Sequence, residues 1–163
     1  MLSEYLADDD FSRIFVLNGY AGTGKTTLIA ALVGALKALG IKPVLLAPTG
    51  RAAKVLSQYA SEPALTIHKR IYRERTNAEY ESRFSLGLNT ERGAIFIVDE
   101  ASMLADGEQA GALFGSGSLL DDLVRYVRSG RECRLVLVGD SAQLPPVGSD
   151  RSPALDVGTM GRY

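Results

Sequence analysis

The sequence predicts an α/β fold: a parallel sheet with helices on both faces and a small inserted strand or hairpin segment. Continuous apolar runs at 14–17, 44–47, 95–98 and 134–138 read as strands covered on both sides. Helical patterns follow them, and glycines, prolines and capping residues stand at the joints, the order that builds right-handed crossovers. The 163 residues fit one domain, 1–163, with a substantial core.

Taken in order, the run 14–17 leads through a glycine-rich stretch into a helix over 25–39. Leu28, Leu32 and Leu36 form one apolar row of that helix, and Ile29 with Val33 a parallel one. Gly40 ends it as a C′ residue. The strand 44–47 stops at Pro48, and a second helix over 50–60 rests on Ala53, Leu56 and Ala60, with Pro63 beyond its end. Residues 69–92 break the pattern. Tyr80, Phe84, Leu86 and Leu88 fall on one alternating face there, which suggests a strand or hairpin inserted in the sheet's connection.

After the strand 95–98, Gly107, Gly111, Gly115 and Gly117 predict a mobile connection. Ser118 then reads as the N-cap of a helix through Arg128, with Asp121 at the capping-box position. Gly130 closes it before the strand 134–138.

Composition narrows the class. Hydrophobic residues at 46% and charged residues at 23% are ordinary for a globular protein. A formal net charge of -1 leaves nucleic-acid contact to a local basic surface. Cys133 is the sole cysteine, which excludes an internal disulfide framework and favours a reducing, cytoplasmic compartment. Its apolar neighbours make it a buried structural thiol. No apolar run approaches a membrane span, and the acidic N-terminus is unlike a signal peptide, so no membrane partner is expected.

The chemistry concentrates at strand ends. Gly19-Tyr-Ala21-Gly22-Thr23-Gly24-Lys25-Thr26-Thr27 follows the first strand and opens the first helix. Strand, glycine loop and helix in that order form a phosphate-binding loop, whose backbone N–H groups nest a polyanion at a helix N-terminus. Lys25 is placed to reach the β and γ phosphates of ATP, and the Thr26 hydroxyl to ligate Mg²⁺. Asp99-Glu100 ends the strand 95–98, where parallel sheets present ligand sites. Asp99 is expected in the Mg²⁺ shell and Glu100 as the group that orients or deprotonates the attacking water.

Gly139-Asp-Ser-Ala-Gln143-Leu-Pro-Pro-Val-Gly148 ends the last strand in the same way. Gln143 suits a γ-phosphate sensor; a rigid surface turn is the competing reading. Thr49, Gly50, Arg51 and Thr66 offer small donors and one cation to a sugar-phosphate chain. His68, the only histidine, reads from chemistry alone as a structural hydrogen-bonding residue. Lys69, Arg70, Arg73, Arg75 and Arg83 alternate with Tyr72, Tyr80 and Phe84, a composition suited to single strands. Glu74, Glu79, Glu81 and Glu91 dilute it and leave a solvated insertion as the alternative.

Together these segments resemble the motifs of superfamily 1B DNA helicases, the group with RecD-like, Pif1-like and Dda-type members, and the RecD-like branch most. The phosphate loop matches motif I, and Ala47-Pro-Thr-Gly-Arg-Ala-Ala-Lys54 with Thr66-Ile-His68 matches motif Ia and its extension. Asp99-Glu-Ala-Ser-Met103 matches motif II, and Gly139-Asp-Ser-Ala-Gln-Leu-Pro-Pro146 matches motif III. The resemblance implies a RecA-like ATPase core served by Lys25, Thr26, Asp99, Glu100 and Gln143. It also implies single-stranded DNA contacts at Pro48, Thr49, Gly50, Arg51, Thr66 and His68; RNA stays open as the strand, because no residue singled out reads a 2′-OH.

Residues 69–92 occupy the place of the family's strand-separating 1B pin, with Phe84 or Tyr80 near its tip as a wedge. The expected protein is the first motor domain of a 5′-to-3′ translocase, ending after motif III, with a second RecA-like domain as partner. Its rivals are a small-molecule kinase, which shares the phosphate loop, and a non-catalytic nucleotide-dependent interaction module.

Overall fold

The computed structural model describes residues 2–76, 82–106, 113–143, 146 and 152–163. Tyr80, Glu79, Glu81, Gly107, Gly111, Leu144, Pro145, Val147 and Gly148 lie outside these residues, as do the side chains of Arg75 and Arg83.

In chain order the elements are α1 (Leu2–Ala7), β1 (Ile14–Asn18), α2 (Lys25–Ala38), β2 (Pro43–Ala47), α3 (Gly50–Ala60), β3 (Ala64–Thr66), α4 (Ile67–Ile71), β4 (Tyr72–Thr76), β5 (Ser82–Leu86), β6 (Ile95–Val98), a 3₁₀ turn (Ala101–Met103), α5 (Leu119–Ser129), β7 (Arg134–Gly139), a second 3₁₀ turn (Pro153–Leu155) and α6 (Val157–Met160). The main sheet is five-stranded in the order β1-β7-β6-β2-β3, and every pairing in it is parallel. The α/β class is as expected, and β6 and β7 are buried throughout; β1, at the sheet's edge, is only partly buried and so lacks the full cover expected of it.

Alternate strand residues supply two cores. Phe96, Val98, Leu135 and Leu137 face α4 and α5, whereas Ile95, Ile97, Val136 and Val138 face α1, α2 and α3. Helices therefore cover both faces. In α5 the buried Leu120, Leu123, Val124 and Val127 recur at the spacing of a single helical stripe. Its N-cap is Ser118, whose Oγ accepts from the Asp121 amide at 3.2 Å. The reciprocal half of the capping box does not form, because the Ser118 amide donates to Ser116 Oγ at 3.2 Å. The Asp121 carboxylate instead accepts from the Tyr163 hydroxyl.

Several expectations change. Leu28 is 45% exposed, so the buried stripe of α2 is Ile29, Leu32, Val33 and Leu36. The pattern 28–32–36 locates an apolar row but not the edge at which the sheet's contact ends. β3 and α4 were not anticipated. Gly130 closes α5 as expected, at φ −80°. Its place follows from close approach: a Cβ there would lie 2.4 Å from Asn89 Nδ2, which donates to the last carbonyls of α5 at Tyr126 and Val127. Cys133 is buried as expected, and burial raises its pKa.

The inserted segment is an antiparallel hairpin, β4–β5, with Tyr72 opposite Leu86 and Glu74 opposite Phe84. Leu88 lies beyond the end of β5 and is 78% exposed, so the alternating face expected to include it stops at Leu86. Phe84 is no wedge at a tip. Its ring stacks on Phe114 at 4.5 Å, and its backbone pairs with residues 113 and 115. The turn around Gly115 and Gly117 is thus tied to the hairpin, while Gly107 and Gly111 of the expected mobile connection lie outside the described residues. Tyr72 anchors the hairpin's base by donating to buried Asp122 of α5 at 2.7 Å, and the Ser116 amide donates to the same oxygen at 2.9 Å.

Candidate nucleotide and nucleic-acid site

Because the strands are parallel and in register, the loops after β1, β7, β6, β2 and β3 open at one edge of the sheet. Leu17 pairs with Val138, Leu137 with Val98, Val98 with Leu46 and Ala47 with Thr66. The phosphate loop follows β1, Asp140 follows β7 and Asp99 follows β6. Arg51 follows β2, and His68 follows β3. The singled-out residues are therefore brought to one edge, in the order the sheet dictates.

The loop folds as its glycines allow. Gly24 is the N-cap of α2 at φ 82°, and Gly22 holds φ 77°, a region open to glycine and costly for most other residues. The Thr23 amide and hydroxyl both donate to the Tyr20 carbonyl, at 3.3 and 2.7 Å. Lys25 curls back along the loop, where its Nζ donates to the carbonyls of Gly19 and of Tyr20, the latter at 2.7 Å. The same ammonium lies 3.7 Å from Asp140 Oδ2, a carboxylate only 2% exposed. Ala21 and Thr27 are exposed along the loop and first turn, and Thr26 is half-buried beside Lys25.

Asp140 is a residue the sequence reading passed over, although it stands after its strand just as Asp99 stands after β6. The loop after β7 is tied to both neighbours. The Gly19 amide donates to the Gly139 carbonyl at 3.0 Å, and the Ser141 amide to Asn18 Oδ1 at 3.0 Å. On the other side the Ser102 hydroxyl donates to Gln143 Oε1 at 3.1 Å. Gly139 is required here by close approach: a Cβ would sit 2.8 Å from Leu155 Cδ1 and 3.1 Å from the Ser102 amide. Gln143 itself is exposed, three residues beyond the partner of Lys25.

The carboxylate pair is strained and desolvated. Glu100 holds φ 54°, ψ 37°, a left-handed conformation that costs an ordinary residue about 1–3 kcal/mol and tends to mark functional sites. Asp99 Oδ1 accepts from the Glu100 backbone amide at 2.9 Å. Burial raises the Asp99 pKa, with the Glu100 amide and the Lys25 charge offsetting part of the rise. Burial also raises the Glu100 pKa; the neighbouring Asp99 adds to the shift and Arg51 opposes it. A carboxyl held back from ionising is a better proton acceptor once ionised.

These residues fit a Mg²⁺–nucleoside triphosphate. Glycine amides, a helix N-terminus and the Lys25 ammonium would meet the phosphates; Thr26 and Asp99 would hold the metal, which would neutralise phosphate charge. Among the described residues no group of three His, Cys, Asp or Glu could hold a metal.

On the β2–β3 side, Thr49 and Thr66 are helix N-caps. Thr49 Oγ1 accepts from the Ala52 amide and Thr66 Oγ1 from the Lys69 amide, each at 3.2 Å. Arg51 is exposed in the first turn of α3, with Pro48 and Gly50 flanking the cap. His68 is half-buried against Phe114 (5.0 Å, edge-on) and Tyr72 (5.6 Å), and burial lowers its pKa. It links the strand-end ledge to the hairpin. No helix among the described residues is long and apolar enough to cross a membrane.

Comparison with known proteins agrees. The family model described as an AAA domain matches residues 5–155. An uncharacterized protein of Methanocaldococcus jannaschii is 36% identical over 157 residues, covering 90% of this chain and 12% of its own. The ATP-dependent RecD2 DNA helicase of Deinococcus radiodurans is 33% identical over 135 residues, 83% of this chain and 16% of that protein. The ATP-dependent DNA helicase dda of Enterobacteria phage T4 is 32% identical over 138 residues, covering 80% and 28%. The chain thus spans a minor part of the curated relatives it matches. The resemblance to RecD-like superfamily 1B motor domains, read from the motifs, is borne out.

Proposed function

Since this chain belongs to the AAA domain family, we propose that it is the first motor domain of a translocase that uses Mg²⁺ and ATP to move 5′-to-3′ along single-stranded DNA. The observation that carries the proposal is the junction at the end of β7. There Lys25 of the phosphate loop meets Asp140, and Gln143 meets the turn that follows Glu100. A change at the γ phosphate would reach that junction directly. In this reading Lys25, with Gly19, Ala21, Gly22, Thr23, Gly24, Thr26 and Thr27, binds the phosphates. Thr26 and Asp99 hold the metal, Glu100 activates water, and Gln143 reports on the γ phosphate.

The ledge formed by Pro48, Thr49, Gly50, Arg51, Thr66 and His68 carries the DNA strand, and hairpin β4–β5 acts as the strand separator. A second RecA-like domain would complete the cleft and the DNA track. The test is the ATPase of the complete natural protein with and without single-stranded DNA, together with strand displacement on 5′-tailed and 3′-tailed duplexes. Stimulated turnover and displacement of the 5′-tailed substrate are expected. Phosphate transfer to a metabolite without DNA stimulation would replace the proposal with a kinase.

A further inference from the structure

We infer that Ser102 is a positioning residue that turns the amide of Gln143 so that its NH₂ group, and not its carbonyl, faces the nucleotide. The inference rests on the proposed function and deepens it by assigning the chemistry of the γ-phosphate sensor. Ser102 is 0% exposed, in the 3₁₀ turn directly after Glu100. A buried hydroxyl must spend its proton on an acceptor, and Ser102 Oγ spends it on Gln143 Oε1 at 3.1 Å. A primary amide has an acceptor end and a donor end. With the acceptor end engaged in the protein, the exposed end of Gln143 is its Nε2, two N–H donors suited to phosphate oxygens.

Both partners are held in place. Gly139 has no side chain, which lets the Ser102 turn lie against the end of β7. The backbone N–H of Gln143 donates to the Asp140 carbonyl at 3.1 Å, and that of Ala142 to Asp140 Oδ1 at 2.9 Å, within the loop whose Asp140 meets Lys25. The left-handed backbone of Glu100 starts the turn that ends with Ser102 in this position. One short segment thereby carries the water-activating carboxylate and also sets the polarity of the sensor.

The experiment measures Mg²⁺-dependent affinity for ADP and for a nonhydrolysable ATP analogue, and kcat against KM, in the complete natural protein. Ser102→Ala is expected to lower ATP-analogue affinity and kcat by about tenfold, the worth of one buried hydrogen bond, with ADP affinity unchanged. In a Gln143→Ala background the same change should do nothing further, since Ser102 acts through Gln143. Gln143→Glu supplies a test that leaves Ser102 intact: it presents a charged acceptor to the γ phosphate and should bind the analogue more weakly than Gln143→Ala.

Equal losses for ADP and ATP, additive effects in the double variant, or tighter analogue binding by Gln143→Glu than by Gln143→Ala would each overturn the inference. A wild-type protein that binds neither nucleotide overturns the functional reading, and this inference with it. A wild type that binds both while Ser102→Ala retains full preference for ATP overturns the inference alone.

Discussion

The two halves of the sheet's loop-bearing edge use their polar side chains differently. On the β1–β7–β6 half these side chains bridge between loops: Asn18 to Ser141, Lys25 to Asp140 and Ser102 to Gln143. On the β2–β3 half the threonines bond back to their own helices, Thr49 to Ala52 and Thr66 to Lys69. The first arrangement makes displacement of one loop felt by the next, as a nucleotide sensor requires. The second builds fixed helix starts that present Arg51 outward, as suits a ledge along which a strand slides.

The sharpest way to break this contrast is at the carboxylate pair. Glu100→Gln keeps size and backbone but removes the base. Turnover of the complete protein should fall by about 10²–10⁴-fold, the usual worth of a placed general base, with ATP affinity retained. Steady-state ATPase with a parallel binding titration checks it. Retained turnover would favour a non-catalytic interaction module.

Lys25→Ala comes next. It deletes the ammonium that bridges the loop carbonyls and Asp140. Turnover should drop by about 10²–10³-fold, comparable to losing one preorganised charge-stabilising group. Unlike Glu100→Gln, this change should weaken ATP binding as well, and nucleotide titration separates the two.

A smaller effect has the opposite sign. The folded protein raises the pKa of Asp99 by burial, so between the unfolded and folded values the native state binds more protons than the unfolded chain. Stability from this group is complete below the unfolded pKa and declines as pH rises through the folded one. Asp99→Asn should therefore stabilise the metal-free protein at pH 7 by about 0.5–2 kcal/mol, while abolishing Mg²⁺-dependent turnover. Thermal unfolding across pH 4 to 8, about the carboxylate range, should show the gain shrink toward acid.

Much of this edge was legible in the sequence because its strands are short apolar runs that stop at chemistry-bearing residues. Phe96, Ile97 and Val98 lead directly to Asp99, and Thr49 marks the start of α3 at Gly50. What escaped depends on sheet order. Asp140 meets Lys25, and Ser102 meets Gln143, because β7 lies between β1 and β6, a placement no local pattern encodes. β3 and α4 escaped for another reason. Ala64, Leu65 and Thr66 are too few to show a period, and α4 takes its place by burying Ile67 and Ile71. Phe84 looked free on the alternating face of its strand, but Phe114, thirty residues away in a glycine-rich stretch, covers it.

The ledge is tested by comparing Arg51→Ala with Thr49→Ala. Arg51 is exposed, and a cation that meets a DNA phosphate contributes to affinity for any sequence. Its removal should weaken single-strand binding across sequences and lower the salt slope by about 1, at unchanged melting temperature. Thr49 is a cap, and its loss should cost about 1 kcal/mol of stability, roughly 2–4 °C in a domain of this size. Its effect on DNA affinity should be the smaller of the two, because the hydroxyl oxygen is already committed to the Ala52 amide. Thermal melts and salt-dependent binding on the same pair of variants decide it. If Thr49→Ala loses DNA affinity as Arg51→Ala does and melts like the wild type, the threonine faces the strand more than its own helix, and the division between a bridging half and a self-capping half fails.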